Sequence, residues 1–150
     1  MTDSNTSARQ AFLLLRIAFT VAPILFGLDK FANVLTDDWT RYLSSEYNSL
    51  LPGDADTAMS IVGVIEVAAG LIVAVAPRYG SLLVAGWLGG IIINLLLAGG
   101  YGDIALRDFG LMLGALTLAR LAWSELGSTS RAQSRVFQSG TGGSVSAAGT

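Results

Sequence analysis

Residues 79–98 read YGSLLVAGWLGGIIINLLLA, twenty consecutive positions without a charged side chain. A helix of about 20 residues can cross the hydrocarbon core of a bilayer, which is about 30 Å thick. Three other stretches are nearly as apolar: residues 11–31, 57–77 and 108–123. Runs of this length exceed those of ordinary strands, and open sheets leave unsatisfied edges in lipid. The pattern predicts an all-α integral membrane protein, a bundle of four transmembrane helices.

The composition of the 150-residue chain agrees with this class. Hydrophobic residues make up 52% and charged residues 13%, about half the roughly 25% of soluble proteins. The chain has no cysteine and no histidine, which excludes disulfides, Cys/His zinc sites and histidine-ligated haem within it. We therefore predict no metal site and no cofactor of its own. With a net charge of −2 and no basic patch, nucleic acid is not expected as a partner.

Basic residues are divided unevenly between the two sides of the predicted bundle. If the N-terminus is cytoplasmic, six of the nine basic residues lie inside, and the positive-inside rule favours this N-in, C-in orientation. The chain then divides into a cytoplasmic segment, 1–10, a membrane domain, 11–123, and a Ser/Gly-rich tail, 124–150. The tail is predicted to be disordered and cytoplasmic, because its composition buries too little apolar surface to offset ordering entropy.

The long loop between the first two apolar stretches carries its own pattern. Trp39, Tyr42, Leu43 and Tyr47 follow an approximately helical spacing that ends before Pro52. The spacing predicts a short amphipathic helix in this first extracytoplasmic loop, lying on the outer face of the membrane. It would act as a lid packed over the bundle, or as a docking surface or gate.

Glu66 is the sharpest candidate for function, because it lies near the middle of its span and buried charges in lipid are costly. Arg16 in the first span is its expected partner, and we predict an Arg16–Glu66 ion pair. The pair would either fix the helix register or form part of a proton, quinone-headgroup or substrate site.

Other polar and small residues complete the predicted set. Asp29, Lys30, Arg107 and Asp108 are expected to form an outer-leaflet charge network, and Asn94 an interhelical hydrogen bond. Small residues let membrane helices approach closely, and we assign this packing role to Gly63, Gly70, Gly86, Gly90, Gly110 and Gly114.

Four short motifs within residues 11–123 resemble the DoxX-like family of small bacterial membrane proteins: LRI at 15–17, GLDKF at 27–31, GVIEVAAGL at 63–71 and RD at 107–108. The resemblance implies a four-helix domain in the bacterial cytoplasmic membrane. It also implies association with oxidoreductase systems, including quinone-linked thiosulfate oxidation, often as a non-catalytic subunit. Its matching polar positions are Arg16, Lys30, Glu66 and Asp108.

These observations favour an accessory subunit that scaffolds or stabilises a larger respiratory or redox membrane complex. Its partners would be the lipid bilayer and other membrane protein subunits, with a quinone contact as a further expectation. Two alternatives stay open at this point. One is a small transporter or permeation module with Arg16 and Glu66 lining the path. The other is a quinone-interacting oxidoreductase subunit that uses Glu66 or Asp108.

Overall fold

The computed structural model describes the backbone of residues 2–50 and 53–142 and the side chains of residues 6–50 and 53–124. This part of the chain is helical and contains no strand, which confirms the predicted all-α class. Its elements are α1 (Thr2–Ala32), a 3₁₀ turn (Thr40–Tyr42), α2 (Ser45–Leu50), α3 (Ala55–Val75), α4 (Pro77–Ala98) and α5 (Gly102–Gly142).

Three of the helices are long and apolar enough to cross a membrane: residues Thr6–Ala32 of α1, all of α3 and all of α4. They match three of the four predicted spans. The fourth predicted span, 108–123, falls inside α5. The described part of α5 has no stretch that is both as long and as poor in charged residues as these three helices, because it carries Arg107, Asp108 and Arg120.

The four long helices form a ring. α1 packs mainly on α3 and α4 mainly on α5, while α3–α4 and α1–α5 contacts close the ring. The shared core is built from Phe19, Ala69, Val73, Val84, Ala85, Leu88, Ala115 and Leu118. Large apolar side chains point outward instead: Leu14, Val64, Leu96 and Leu106 are each more than 60% exposed. Such an outer surface suits lipid contact rather than water.

Local sequence explains where the helices begin and end. The Asp54 carboxylate accepts a hydrogen bond from the Thr57 amide, 2.9 Å away, and so caps the start of α3. Hydrogen bonds from Thr57 hold the pKa of Asp54 below its ordinary value. Pro77 occupies the first turn of α4, where its missing amide is no loss. Gly99 and Gly100, with φ of +74° and +80°, form the turn into α5.

The C-terminal end of the chain differs from the prediction. At the N-terminal end α1 starts at Thr2, so residues 2–10 continue the first apolar helix. α5 runs to Gly142, so residues 124–142 have a helical backbone where irregular structure was predicted. Once packing has nucleated a helix, each further residue adds one backbone hydrogen bond, so the helix can continue beyond the packed part. The amino-acid composition of the tail does not reveal this. The last predicted tail residues, 143–150, lie outside the described residues.

The loop between α1 and α3, which we call the outer loop after its predicted side, also differs from the prediction. The single amphipathic helix expected within residues 35–52 is instead a 3₁₀ turn followed by α2. Between them Leu43 is extended, with φ −90° and ψ 121°, and the Ser44 amide donates to the side chain of Asn94. This tertiary hydrogen bond holds Ser44 against α4, which interrupts helical continuity. Leu51 and Pro52 lie outside the described residues.

Candidate functional site

The site is positioned by an unusually close contact between α1 and α3. A methyl group added at Gly27 would lie 2.6 Å from the Gly63 carbonyl oxygen, and one at Gly70 would lie 2.7 Å from the Thr20 carbonyl oxygen. Because residue numbers fall on α1 as they rise on α3, the two helices are antiparallel. The packing role predicted for Gly63 and Gly70 is confirmed, while Gly27 was not among the predicted packing glycines.

The other predicted packing glycines divide into two groups. A methyl group at Gly114 would lie 3.1 Å from the ring of Phe19, so this glycine does serve packing. At Gly90 the nearest atom is the Tyr47 hydroxyl at 3.9 Å, and at Gly86 and Gly110 nothing described lies within 4 Å. The helix contact predicted at Gly86, Gly90 and Gly110 is therefore not made between the helices that the structure describes.

Glu66 forms a buried ion pair with Lys30. The Lys30 Nζ donates to Glu66 Oε2 at 2.7 Å, and the two side chains are 5% and 10% exposed. The same ammonium lies 4.1 Å from the centre of the Trp39 ring, a cation–π contact from the outer loop. The pair therefore ties α1 to α3 and connects both helices to the loop above them.

The predicted Arg16–Glu66 pair was wrong. Arg16 donates instead to the carbonyl oxygen of Ala74, eight residues and about 12 Å along α3 from Glu66. Side chains lean toward the N-terminus of their own helix. Arg16 thus leans away from Glu66, whereas Lys30 and Glu66, on antiparallel helices, lean toward each other.

Two more side chains lie near Glu66. The Trp87 indole of α4 is beside the Glu66 carboxylate, and the Asp108 carboxylate of α5 interacts with it electrostatically. Trp87 Nε1 is buried yet makes no hydrogen bond of normal geometry to any described residue. Four helices thus contribute to one polar cluster, Lys30, Glu66, Trp87 and Asp108. Trp87 was not among the residues predicted from the sequence.

Within the described part of the chain, Asp29 and Lys30 of the predicted outer-leaflet charge network make no ion pair with Arg107 or Asp108. The Asp29 carboxylate is buried and accepts from the amides of Val34 and Leu35 at 2.9 and 2.8 Å and from Trp39 Nε1 at 2.9 Å. It therefore fixes the chain as it leaves α1. Lys30 pairs with Glu66, while Arg107 acts electrostatically on its neighbour Asp108.

Asn94 holds the outer loop on α4. Its Oδ1 accepts from the Ser44 amide at 2.9 Å, and its Nδ2 donates to the Tyr42 carbonyl at 2.6 Å. The Tyr47 hydroxyl adds a bond of 3.1 Å to the Gly90 carbonyl. The hydrogen bond predicted for Asn94 exists, but its partners are loop backbone groups and not another spanning helix. This favours the loop as a lid packed over the bundle.

Replacing Asn94 by leucine is expected to release this lid. The loss of two hydrogen bonds leaves the Ser44 amide buried without a partner, which costs about 1–3 kcal/mol. Hydrogen exchange of residues 40–50 should accelerate markedly in the variant. Asn48→Ala is the matched control, because Asn48 Oδ1 is buried without a hydrogen bond. Equal exchange in the two variants would show that Asn94 does not hold the lid.

A shallow apolar groove of about 390 Å³ runs along α1. Its lining residues are Ile17, Ala18, Val21, Ala22, Leu25, Phe26 and Leu35. Positions 18, 22, 26 and 30 are spaced by four and lie on one helix face, so the groove leads toward Lys30. Phe26 also meets the Trp39 ring edge to face at 6.4 Å. The groove thus ends beside the aromatic ring that covers Lys30.

No family model, curated protein or solved structure matches this chain. The DoxX-like resemblance therefore remains a prediction that rests on its short motifs. Among the described residues there is also no group of three or more side chains suited to holding a metal ion. The bundle, its polar cluster and its groove are the features of the described residues that bear on function.

Proposed function

We propose that the chain is a four-span protein of the bacterial cytoplasmic membrane, oriented N-in and C-in, with α5 as its fourth span. Two observations support this arrangement. α5 packs along α4 and also meets α1, so it completes the ring of helices. Its outward side chains are large and apolar: Leu106, Phe109, Leu111, Leu113 and Leu116 are all exposed.

We further propose that it is a non-catalytic accessory subunit that stabilises a larger redox membrane complex. The observation that supports this proposal is the set of contacts that its buried polar groups make. Lys30 and Glu66 satisfy each other, while Asp29 and Asn94 bind backbone of the outer loop. These groups hold the helices and lid in one arrangement, which suits a rigid scaffold. The apolar outer surface is then what the protein presents to lipid and to other membrane subunits.

Reciprocal purification from native membranes tests the accessory role. The tagged chain, extracted in mild detergent, should bring down a membrane subunit with bound haem or flavin in fixed stoichiometry, and a tag on that subunit should recover this chain. Deleting the gene should lower the amount of assembled complex. Recovery of the chain alone, with unchanged amounts of membrane redox complexes in the deletion strain, would contradict the proposal.

A quinone-interacting subunit is the second candidate, favoured by the buried Trp87 Nε1, which lies near Glu66 without a hydrogen bond of normal geometry. The residues present suit such a group in chemistry. Trp87 and Lys30 could donate hydrogen bonds to a headgroup carbonyl, and Glu66 or Asp108 could accept a proton. The groove on α1 offers an apolar surface for a tail. The quinone itself would supply the electron-accepting chemistry.

Trp87→Phe tests this second candidate, because it keeps an aromatic ring and removes the indole N–H. Loss of a hydrogen bond inside an apolar site is expected to weaken quinone binding by about tenfold, measured on the purified full chain in nanodiscs. Trp123→Phe, at the other end of the bundle, should bind as the unmodified chain does. Equal affinity in both variants would exclude Trp87 as a headgroup ligand.

The permeation alternative receives less support. It requires Arg16 and Glu66 to line one path, but Arg16 binds the Ala74 carbonyl and Glu66 binds Lys30. The two side chains also lie at different levels of the bundle.

A further inference from the structure

Arginine and aromatic side chains form a surface at the end of the bundle opposite the lid. None of the functions proposed above involves this surface. Here α3 ends and α4 begins. The Tyr79 and Trp123 rings meet edge to face with centres 6.4 Å apart, and the Arg78 guanidinium lies 5.5 Å from the centre of the Tyr79 ring. Arg120 precedes Trp123 by three residues and thus lies on the same face of α5. We call Arg78, Tyr79, Arg120 and Trp123 the arginine–aromatic surface.

This surface is open to its surroundings. Tyr79 is 63% and Trp123 43% exposed, and Arg120 is exposed as well. Tyrosine and tryptophan prefer the headgroup level of a bilayer, because their rings are apolar and their polar atoms reach water. With these rings at that level, the two arginines would stand close to the lipid phosphates.

The charged side chains that the structure describes at this end are all basic. Arg16 lies at the same level, since it binds the last turn of α3. The nine acidic side chains within the part of the chain whose side chains are described lie in the middle of the bundle or toward the lid: Asp29, Asp37, Asp38, Glu46, Asp54, Asp56, Glu66, Asp103 and Asp108. The arginines here have no acidic partner among them.

The start of α4 adds a further attraction for an anion. Its N-cap residue, Ala76, provides no capping side chain. The N-terminus of a helix carries a partial positive charge that favours negative groups. Arg78 stands in this first turn, so the helix end and the guanidinium attract the same ligand.

We infer that the arginine–aromatic surface binds an anionic glycerophospholipid through its phosphate, with Arg78 and Arg120 as the phosphate-binding residues. Tyr79 and Trp123 hold the glycerol and upper acyl region. Basic side chains grouped beside membrane helices bind anionic headgroups in this way. The excess of basic side chains at this end and the rings at the headgroup level favour a membrane lipid as the ligand over a soluble anion.

Native mass spectrometry of the purified full chain, titrated with phosphatidylglycerol or phosphatidylcholine, tests the inference. Phosphatidylglycerol should bind at least about tenfold more tightly. Each arginine is expected to contribute about fivefold, so R78Q/R120Q should lose about twenty-fivefold in affinity. R41Q/R107Q is the matched control. It removes the same charge at the lid end, and there too the Arg41 guanidinium lies 5.5 Å from a tyrosine ring, that of Tyr42.

The control variant should keep its affinity within about twofold. Equal binding of the two lipids, or equal losses in the two variants, would overturn the inference, because either result would mean nonspecific attraction. Competition by millimolar inorganic phosphate would overturn it as well, since it would indicate a soluble anion site.

A second measurement does not depend on the arginine variants. Brominated phosphatidylglycerol quenches tryptophans that it touches. It should quench the protein's fluorescence more than brominated phosphatidylcholine does, and Trp123→Phe should abolish that difference. A difference that persists in Trp123→Phe would place the lipid elsewhere and refute the assignment.

Discussion

Replacing Lys30 by methionine is expected to destabilise the bundle by about 3–5 kcal/mol. The ammonium and the Glu66 carboxylate are 2.7 Å apart, and both side chains are almost fully buried. Methionine fills the same volume but leaves the Glu66 carboxylate without its partner inside an apolar bundle. Reversible unfolding in mixed detergent micelles, followed by circular dichroism, measures the difference in free energy of unfolding.

A double variant separates the pair from its two members. Lys30→Met combined with Glu66→Leu should regain most of the loss, because apolar groups of similar volume replace a buried ion pair at little cost. Arg16→Met is the comparison, since it removes a charge that binds one carbonyl oxygen near the end of α3. If Arg16→Met costs as much as Lys30→Met and the double variant regains nothing, the pair does not hold α1 to α3.

The three long apolar helices were predictable from sequence because hydropathy depends on composition over about 20 residues and not on neighbours. The Lys30–Glu66 ion pair was not predictable in this way, because the hydropathy of two apolar helices is the same whatever their register against each other. From the sequence, either Lys30 or Arg16 could form the ion pair with Glu66. What decides between them is the level at which Gly27 meets Gly63, together with the direction in which side chains lean on antiparallel helices. Aligning these two glycines would have predicted the correct partner.

The lid was harder to predict for a different reason. Its residues have helical spacing, yet its path is set by side chains outside that pattern. Asn94, 50 residues from Ser44, accepts a hydrogen bond from the Ser44 amide, and the Asp29 carboxylate at the end of α1 accepts from the amides of Val34 and Leu35. Local periodicity carries no information about such tertiary hydrogen bonds. The same holds for Trp87, whose proximity to Glu66 depends on how α4 is rotated against α3.

Replacing Gly27 by alanine is expected to cost about 1–3 kcal/mol, near the upper end of that range. The new methyl group would lie 2.6 Å from the Gly63 carbonyl oxygen and 3.0 Å from the Val67 amide nitrogen. Both are backbone atoms, so no side chain rotation can relieve the overlap, and α1 must move away from α3. That movement also stretches the Lys30–Glu66 pair one turn further along. The same detergent unfolding assay measures the loss.

Gly86→Ala and Gly110→Ala are the matched controls, because a methyl group at either position meets no described atom within 4 Å. All three substitutions add one methyl group to a helical glycine, so all gain equally from the better helix propensity of alanine. The controls should therefore be neutral or slightly more stable, and the difference from Gly27→Ala isolates the steric term. If Gly27→Ala were as stable as the controls, α1 and α3 could not be as close as the structure places them, and the register that pairs Lys30 with Glu66 would fail with that contact.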